Sequence, residues 1–225
     1  MPTDLERDKI YNVEIKQKYK DTGVAESYDS QRYRDTQGEL NTLLLRQCLG
    51  AALYGLDGNS VVLDAPCGTG RFTDLLADRG FNALGGDISR EMMITARGKF
   101  DGRAEKPSFM QFDLERMPFK NKSISAVMNI RFMVHVPEEV RVNILKEFKR
   151  VVRNRAVVCY YHTYYLTYVL RTIRSFIGLG KKRNPGGRVG FGQLASEAAQ
   201  AGMKIRKISP LMLGVSGNWI VEMEP

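Results

Sequence analysis

A chain of 225 residues that is 43% hydrophobic can bury a substantial core, and it suits one α/β domain with a modest insertion. Its 34 basic against 25 acidic residues leave a net charge of +9, which favours an anionic partner such as a nucleic acid, a phospholipid surface or an acidic small molecule. Three scattered cysteines and two histidines argue against a disulfide framework and a metal site, and the absence of a leader-like N-terminus or an apolar run of about 18 residues gives a soluble, cytoplasmic protein as the expectation.

Residues 1–20 are rich in charge and poor in core residues, the composition of a frayed segment or an exposed helix. Tyr28-Asp29-Ser30-Gln31-Arg32-Tyr33-Arg34 then leads into Leu40, Leu43, Leu44, Cys48, Ala51 and Ala52, which keep helical spacing and predict a helix that packs on a sheet. Gly58 helps end the connection. Val61-Val62-Leu63-Asp64 is a short apolar run closing on a carboxylate. It passes through Ala65-Pro66-Cys67-Gly68-Thr69-Gly70 into a helical pattern carrying Phe72, Leu75 and Leu76 and ending near Gly80. Strand, tight turn and helix follow in order. Gly68 and Gly70 let the backbone bend and approach a ligand closely, and the helix start behind them presents unpaired N–H groups, a combination suited to an anion or a nucleoside. The third glycine of the dinucleotide fingerprint is missing.

A second strand over residues 81–86 ends in Asp87, at about the interval from Asp64 at which α/β nucleotide sites place an acid for ribose hydroxyls. Both oxygens of one carboxylate can serve a cis-diol; the alternative is a helix cap or a strand-end turn. A third strand over 109–112 precedes Asp113 and Leu114, and a fourth over 125–130 leads to Arg131 and His135. Pro137, Glu138 and Glu139 open a helix with proline at its first position, and Lys149, Arg150 and Arg153 stand near its end. A fifth strand covers 156–161, a helix over 191–201 stops at Gly202, and two last strands cover 203–209 and 218–223. Alternating strands and helices imply a parallel sheet whose ligand site lies beyond the carboxyl ends of the strands. Between the fifth strand and the following helix, residues 162–190 carry Tyr164, Tyr165, Tyr168, Phe176 and the basic residues Arg171, Arg174, Lys181, Lys182, Arg183 and Arg188 without an acid. This insertion can cover an active site, lie on an anionic membrane face, touch phosphates, or form a solvated loop.

Asp64-x-x-x-Gly68-x-Gly70, Asp87-Ile88-Ser89 before Glu91-Met92-Met93, Asp113 before Met117-Pro118-Phe119, and the run Asn129 to Arg153 together resemble class I S-adenosylmethionine-dependent methyltransferases. The likeness is to the general small-molecule and ubiquinone-biosynthesis type and covers roughly residues 60–155. It implies a Rossmann-like seven-stranded, mostly parallel sheet flanked by helices, with the last strand antiparallel and a helical cap insertion after the fifth strand. It also implies S-adenosyl-L-methionine as cofactor, held by Asp64, Ala65, Cys67, Gly68, Gly70, Asp87, Ile88, Asp113, Leu114 and Asn129. In the family the second acid serves the ribose, the residue after it packs on adenine, and the third acid accepts from the adenine amino group. Pro66 departs from the commonest form and has no N–H to offer a ligand. Residues 1–36 would form an N-terminal segment in which Tyr28 to Arg34 resembles a stretch that folds over the cofactor, and residues 37–225 the catalytic domain.

Methyl transfer from a sulfonium is an in-line displacement, so the protein mainly positions the acceptor and excludes water. His135 is the first candidate for a general base, Arg131 for holding an anionic group, and His162 is a second histidine candidate; no residue is assigned to a metal. A small-molecule or lipid-like acceptor leads. Asn129-Ile130-Arg131-Phe132 stands where DNA amino-methylases carry Asn/Asp-Pro-Pro-Tyr/Phe, and Cys159 lacks the setting of cytosine-C5 enzymes. The net charge keeps an RNA methyltransferase open, and a non-catalytic cofactor-binding protein is the other alternative.

Overall fold

The computed structural model describes residues 36–103, 106–164, 170, 187–212 and 216–225. The N-terminal segment with Tyr28 to Arg34, and most of the insertion with Arg171, Arg174, Lys181, Lys182 and Arg183, lie outside the described residues.

Five strands pair in parallel: β1 (Val61–Asp64), β2 (Asn82–Asp87), β3 (Ser108–Gln111), β4 (Ile124–Asn129) and β5 (Val152–Tyr161). Two more, β6 (Lys204–Pro210) and β7 (Asn218–Glu224), complete a sheet of order β3-β2-β1-β4-β5-β7-β6 in which β7 runs antiparallel to both neighbours. The expected seven-stranded sheet with an antiparallel last strand is the observed one. Chain order reverses between β1 and β4, so the connections leaving their carboxyl ends diverge to opposite faces and open a crevice there.

Both faces of the sheet are covered, which is why the central strands read as continuous apolar runs. Along β5, Ala156, Val158 and Tyr160 enter one core and Val157 and Cys159 the other, and β7 splits likewise between Trp219, Val221 and Met223 and the opposite Ile220. The first core is closed by α4 (Glu138–Val151) through Ile144, Leu145 and Phe148 and by α5 (Phe191–Ala201) through Leu194 and Ala198. The second is closed by α1 (Thr36–Ala52) through Leu45 and Leu49 and by α2 (Thr73–Ala77) through Leu75 and Leu76. The remaining helix, α3 (Arg90–Gly98), buries Met92, Met93 and Ala96. Each fully buried Leu, Met or Phe contributes about 1.5–3 kcal/mol. At the end of α5, Gly202 adopts φ +67° and its N–H reaches the carbonyls of Ala198 and Ala199, the left-handed stop expected there.

Some boundaries differ from the sequence reading. Helix α2 has only five residues, because Arg71 and Phe72 still belong to the turn after Gly70 and a second turn around Gly80, at φ +75°, closes it. Pro137 caps α4 from outside the helix, with ψ 166°, and the first helical residue is Glu138. Strand β5 begins at Val152, four residues' pairing earlier than hydropathy suggests, because Val152 pairs with Ile124 across an irregularity that lets polar Arg153 and Asn154 face solvent. Gly85 and Gly86 of β2 are the places where no side chain fits: a Cβ there would overlap the rings of Phe109 and Phe112. Gly86→Ala should therefore destabilise the protein by roughly 1–3 kcal/mol, read as a lowered urea midpoint at constant slope; an unchanged midpoint would show that Phe112 can move aside freely.

Candidate active site

The turn after β1 is pinned by both neighbouring strands. Ala65 N–H donates to the Met128 carbonyl of β4 at 2.9 Å, Cys67 N–H to the Gly86 carbonyl of β2 at 2.8 Å, and Asn129 Nδ2 to the Ala65 carbonyl at 2.9 Å. Gly68 and Gly70 take φ +52° and +74°, conformations that cost an ordinary residue about 1 kcal/mol or more. At Gly70 space is short as well, since a Cβ would sit 3.0 Å from the Ala96 side chain of α3. The loop that results points the Gly68 N–H at Asp87 Oδ2, 2.8 Å away.

Two carboxyl groups are buried at the ends of β1 and β2. Asp87, 7% exposed, takes the Gly68 amide on one oxygen and the Ser89 amide, at 2.9 Å, on the other; burial still raises its pKa against those hydrogen bonds. Asp64, 1% exposed, accepts from Thr73 Oγ1 at 2.7 Å. Burial pushes Asp64 up to about 7; the Thr73 hydroxyl opposes this, and the charges of Asp87 and Asp74 add to it. Burial, with the Asp64 and Asp87 charges beside it, also raises the Cys67 thiol, so it stays protonated at neutral pH.

The loop after β3 carries the third acid, Asp113, whose Oδ1 accepts from Glu115 N–H at 3.1 Å. It is held by α4 as well as by the sheet. Glu147 accepts the Met117 N–H at 2.9 Å, and the Arg150 guanidinium, forked onto Glu147, donates to the carbonyls of Met117 at 2.8 Å and Phe119 at 2.6 Å. Arg150 holds the Glu147 carboxyl below its usual range, chiefly through these hydrogen bonds. Met117-Pro118-Phe119 and the Glu147 and Arg150 side chains of α4 are two halves of one clasp.

On the other side of the crevice, β4 runs into Arg131 at φ +59°, a left-handed backbone that non-glycine residues seldom adopt and that collects at functional sites. A 3-10 turn over Met133–His135 follows, closed by the His135 N–H on the Phe132 carbonyl at 2.8 Å. Gly187, on the returning end of the insertion, packs so closely on the Val134 backbone that no Cβ would fit.

One continuous cleft joins these parts. Asp64, Cys67, Gly68, Asp87, Ile88, Asp113, Leu114, Arg131 and His135 all line it. Ala65, Gly70 and Asn129 do not; they shape its floor from behind. Neither does His162, which is 3% exposed and stacked on Trp219 with ring centres 4.4 Å apart, its Nδ1 accepting from the Tyr164 N–H at 3.0 Å. Burial lowers the His162 pKa and favours the neutral ring. The sequence reading missed Met92, Phe112, Phe132, Val136, Val140 and Ile144, which supply the apolar walls. Val140 and Ile144 do show i, i+4 spacing, but that identifies a shared helix face and not its position over the cleft. Among the described residues no cluster of His, Cys, Asp and Glu is placed to hold a metal ion, and no helix is long and apolar enough to cross a membrane.

Known proteins bear on this arrangement. A family model described as a methyltransferase domain matches residues 62–155. A malonyl-[acyl-carrier protein] O-methyltransferase of Hamiltonella defensa is 29% identical over 119 residues, 52% of this chain and 44% of that protein. The methyltransferase GfsG of Streptomyces halstedii is 30% identical over 95 residues, 41% of this chain and 34% of that protein. The chain thus spans less than half the length of either curated relative. The crystal structure of magnesium protoporphyrin IX methyltransferase from Synechocystis PCC 6803 with bound SAH superposes with a TM-score of 0.73 at 19% identity, covering 94% of this chain and 98% of that one.

The buried Asp64 makes a pH-dependent prediction. A raised carboxyl pKa means that the folded protein keeps a proton which the unfolded chain has released, so stability is lost as pH rises from 3.8, the ordinary value, to about 7, and is flat above. Asp64→Asn keeps an acceptor for Thr73 and removes the ionisation, so in the ligand-free protein it should raise stability at pH 8 by roughly 2–4 kcal/mol and much less at pH 4.5. Denaturant unfolding at the two pH values measures this; an equal effect at both would show that Asp64 titrates near its ordinary value.

Proposed function

Since the chain carries the class I S-adenosylmethionine-dependent methyltransferase fold and a methyltransferase domain, we propose that it binds S-adenosyl-L-methionine and methylates a small-molecule or lipid-like acceptor. The observation that carries this reading is the single cleft running from three strand-end acids to Arg131 and His135 between apolar walls.

The residues present suit the cofactor. The Gly68 backbone stands beside open space, since a Cβ there would meet nothing within 4 Å, so a ligand can approach it. Asp87 keeps acceptor capacity beside its backbone-amide contacts with Gly68, Ser89 and Ile88 and can take the ribose hydroxyls. Ile88, Met92, Phe112 and Leu114 offer an apolar bed for a purine, with Asp113 at its rim. Asn129 Oδ1, buried behind the cleft floor at the end of β4, has no hydrogen-bond partner among the described residues, while its Nδ2 holds the Ala65 carbonyl of the loop. When bound, the cofactor supplies a methyl group on a cationic sulfonium. The chain's task is then to orient the acceptor and keep water out. Phe132, Val136, Val140 and Ile144 suit an apolar acceptor body, Arg131 an anionic group on it, and His135 the proton of an acceptor that must lose one. The same reading keeps residues 1–36 as a segment leading into the domain of residues 37–225, with 162–190 as its insertion.

Asp87→Ala removes two charge-assisted ribose contacts of roughly 1.5–3 kcal/mol each, so calorimetric titration should show cofactor affinity weakened by more than about tenfold; unchanged affinity in the folded variant would defeat the assignment. Arg131→Ala and His135→Ala should leave that affinity within about twofold and lower transfer of labelled methyl by roughly tenfold or more. Incubation with methyl-labelled cofactor and fractionated cell extract supplies the assay. Label in small-molecule or lipid fractions supports the reading, label in RNA turns it to the RNA alternative, and cofactor binding without transfer to any fraction turns it to a non-catalytic binding protein.

A further inference from the structure

The most completely buried charged group in the described residues is not in the cleft at all. Arg141 of α4 and Glu197 of α5, 3% and 0% exposed, face each other through a forked contact: Arg141 Nε donates to both carboxylate oxygens at 3.0 and 3.1 Å, and Nη2 to Oε1 at 2.6 Å. Tyr160 of β5, also buried, donates its hydroxyl to Glu197 Oε2 at 3.1 Å. Burial and the neighbouring Glu197 charge raise the Tyr160 phenol, so it remains a donor. A buried ion pair is weak evidence for stability, because the cost of removing both charges from water rivals their attraction.

What sets this pair apart is its last contact. Arg141 Nη1 donates at 2.7 Å to the Val136 carbonyl, on the residue that directly follows His135 and itself lines the cleft. The planar guanidinium spends one side on Glu197 and the other on this carbonyl, so the orientation of the fork is transmitted to the segment 132–136. Helix α5 is docked on the same turn of α4 by Gln193, which donates to Glu138 at 3.2 Å.

We propose that Arg141, held by Glu197 and Tyr160, is a positioning residue that sets the His135 side of the cleft. Its role is to keep the 3-10 turn of Met133–His135 and the Val136 carbonyl in one arrangement, so that His135 and Arg131 present a fixed geometry to the acceptor. The proposal rests on the reading of that side as the acceptor side. Its test is built on side-chain position and not on turnover, so the two can fail separately.

The chain has two histidines, His135 and His162, so selectively labelled histidine gives two ring signals by NMR, assigned with His135→Gln. Arg141→Lys keeps a positive charge opposite Glu197 but lacks the fork that also reaches Val136. In this variant the His135 signal should shift or split, the His162 signal should stay, and the affinity for S-adenosylhomocysteine should remain within about twofold of wild type. Tyr160→Phe removes only the hydroxyl's contact with Glu197 and leaves the Arg141 fork on Glu197 and Val136, so both signals should stay in place. If Arg141→Lys fails to fold, the triple variant Arg141→Met, Glu197→Leu, Tyr160→Phe replaces the whole network with apolar groups and should again move His135 alone. A folded variant of either kind with a wild-type His135 signal overturns the proposal, and loss of folding in both assigns the network to stability alone. A displaced His135 in a protein that transfers no methyl group would leave the coupling standing and remove the function proposed for the site.

Discussion

The hydrogen bond from the Gly68 amide to the Asp87 carboxylate closes the end of β1 onto the end of β2, and the geometry of the whole cleft follows from it. It requires a left-handed backbone at Gly68, which a side chain would strain, and a carboxylate that the fold keeps almost out of water. β2 must therefore run past the end of β1. The parallel register pairs Asp64 with Gly85 and so leaves Asp87 two residues further on, beside the loop, and the Cys67 amide on the Gly86 carbonyl repeats the tie one step earlier. With the loop so fixed, Ser89 can accept from Met92 and start α3 directly behind Asp87.

The arrangement concentrates negative charge where the medium opposes it. Burial raises the cost of ionising both Asp64 and Asp87, the Asp87 charge adds to it at Asp64, and the Thr73 hydroxyl at Asp64 and backbone amides at Asp87 oppose it. An isolated buried carboxylate would cost several kcal/mol. Such a site is destabilised until something cationic or hydrogen-bond donating enters, a common condition for binding sites that trade stability for function. The Asn129 oxygen, one strand away and behind the cleft floor, is a further buried acceptor with no partner among the described residues.

Helix α4 does the opposite work with its charges. Near its end Glu147 and Arg150 grip the loop after β3, and near its start Arg141 grips the turn after β4. The two walls of the cleft are thus fastened to one rigid rod whose apolar face, Ile144, Leu145 and Phe148, is sunk in the core. A shift of that helix would move both walls together, whereas local loop motion alone is resisted by charge-assisted hydrogen bonds on either side.

The succession of strands each ending in an acid was legible in the sequence, because short apolar runs closed by Asp and separated by helical patterns admit few other folds. Spacing and the family resemblance pointed to Asp64, Asp87, Asp113, the Gly68 turn, Arg131 and His135, and all of them line one cleft, because each lies at or shortly after the carboxyl end of a parallel strand. The tertiary structure alone decided that His162 stacks on Trp219 away from the cleft, although it leaves β5 much as His135 follows β4. It also decided that Arg141 pairs with Glu197, 56 residues away, and that Glu147 and Arg150 hold a loop about 30 residues earlier in the chain. Spacing along the chain carries the period of a helix or strand, but the direction in which a long charged side chain is used depends on which elements pack beside it, and that is settled only when the two cores close on the sheet.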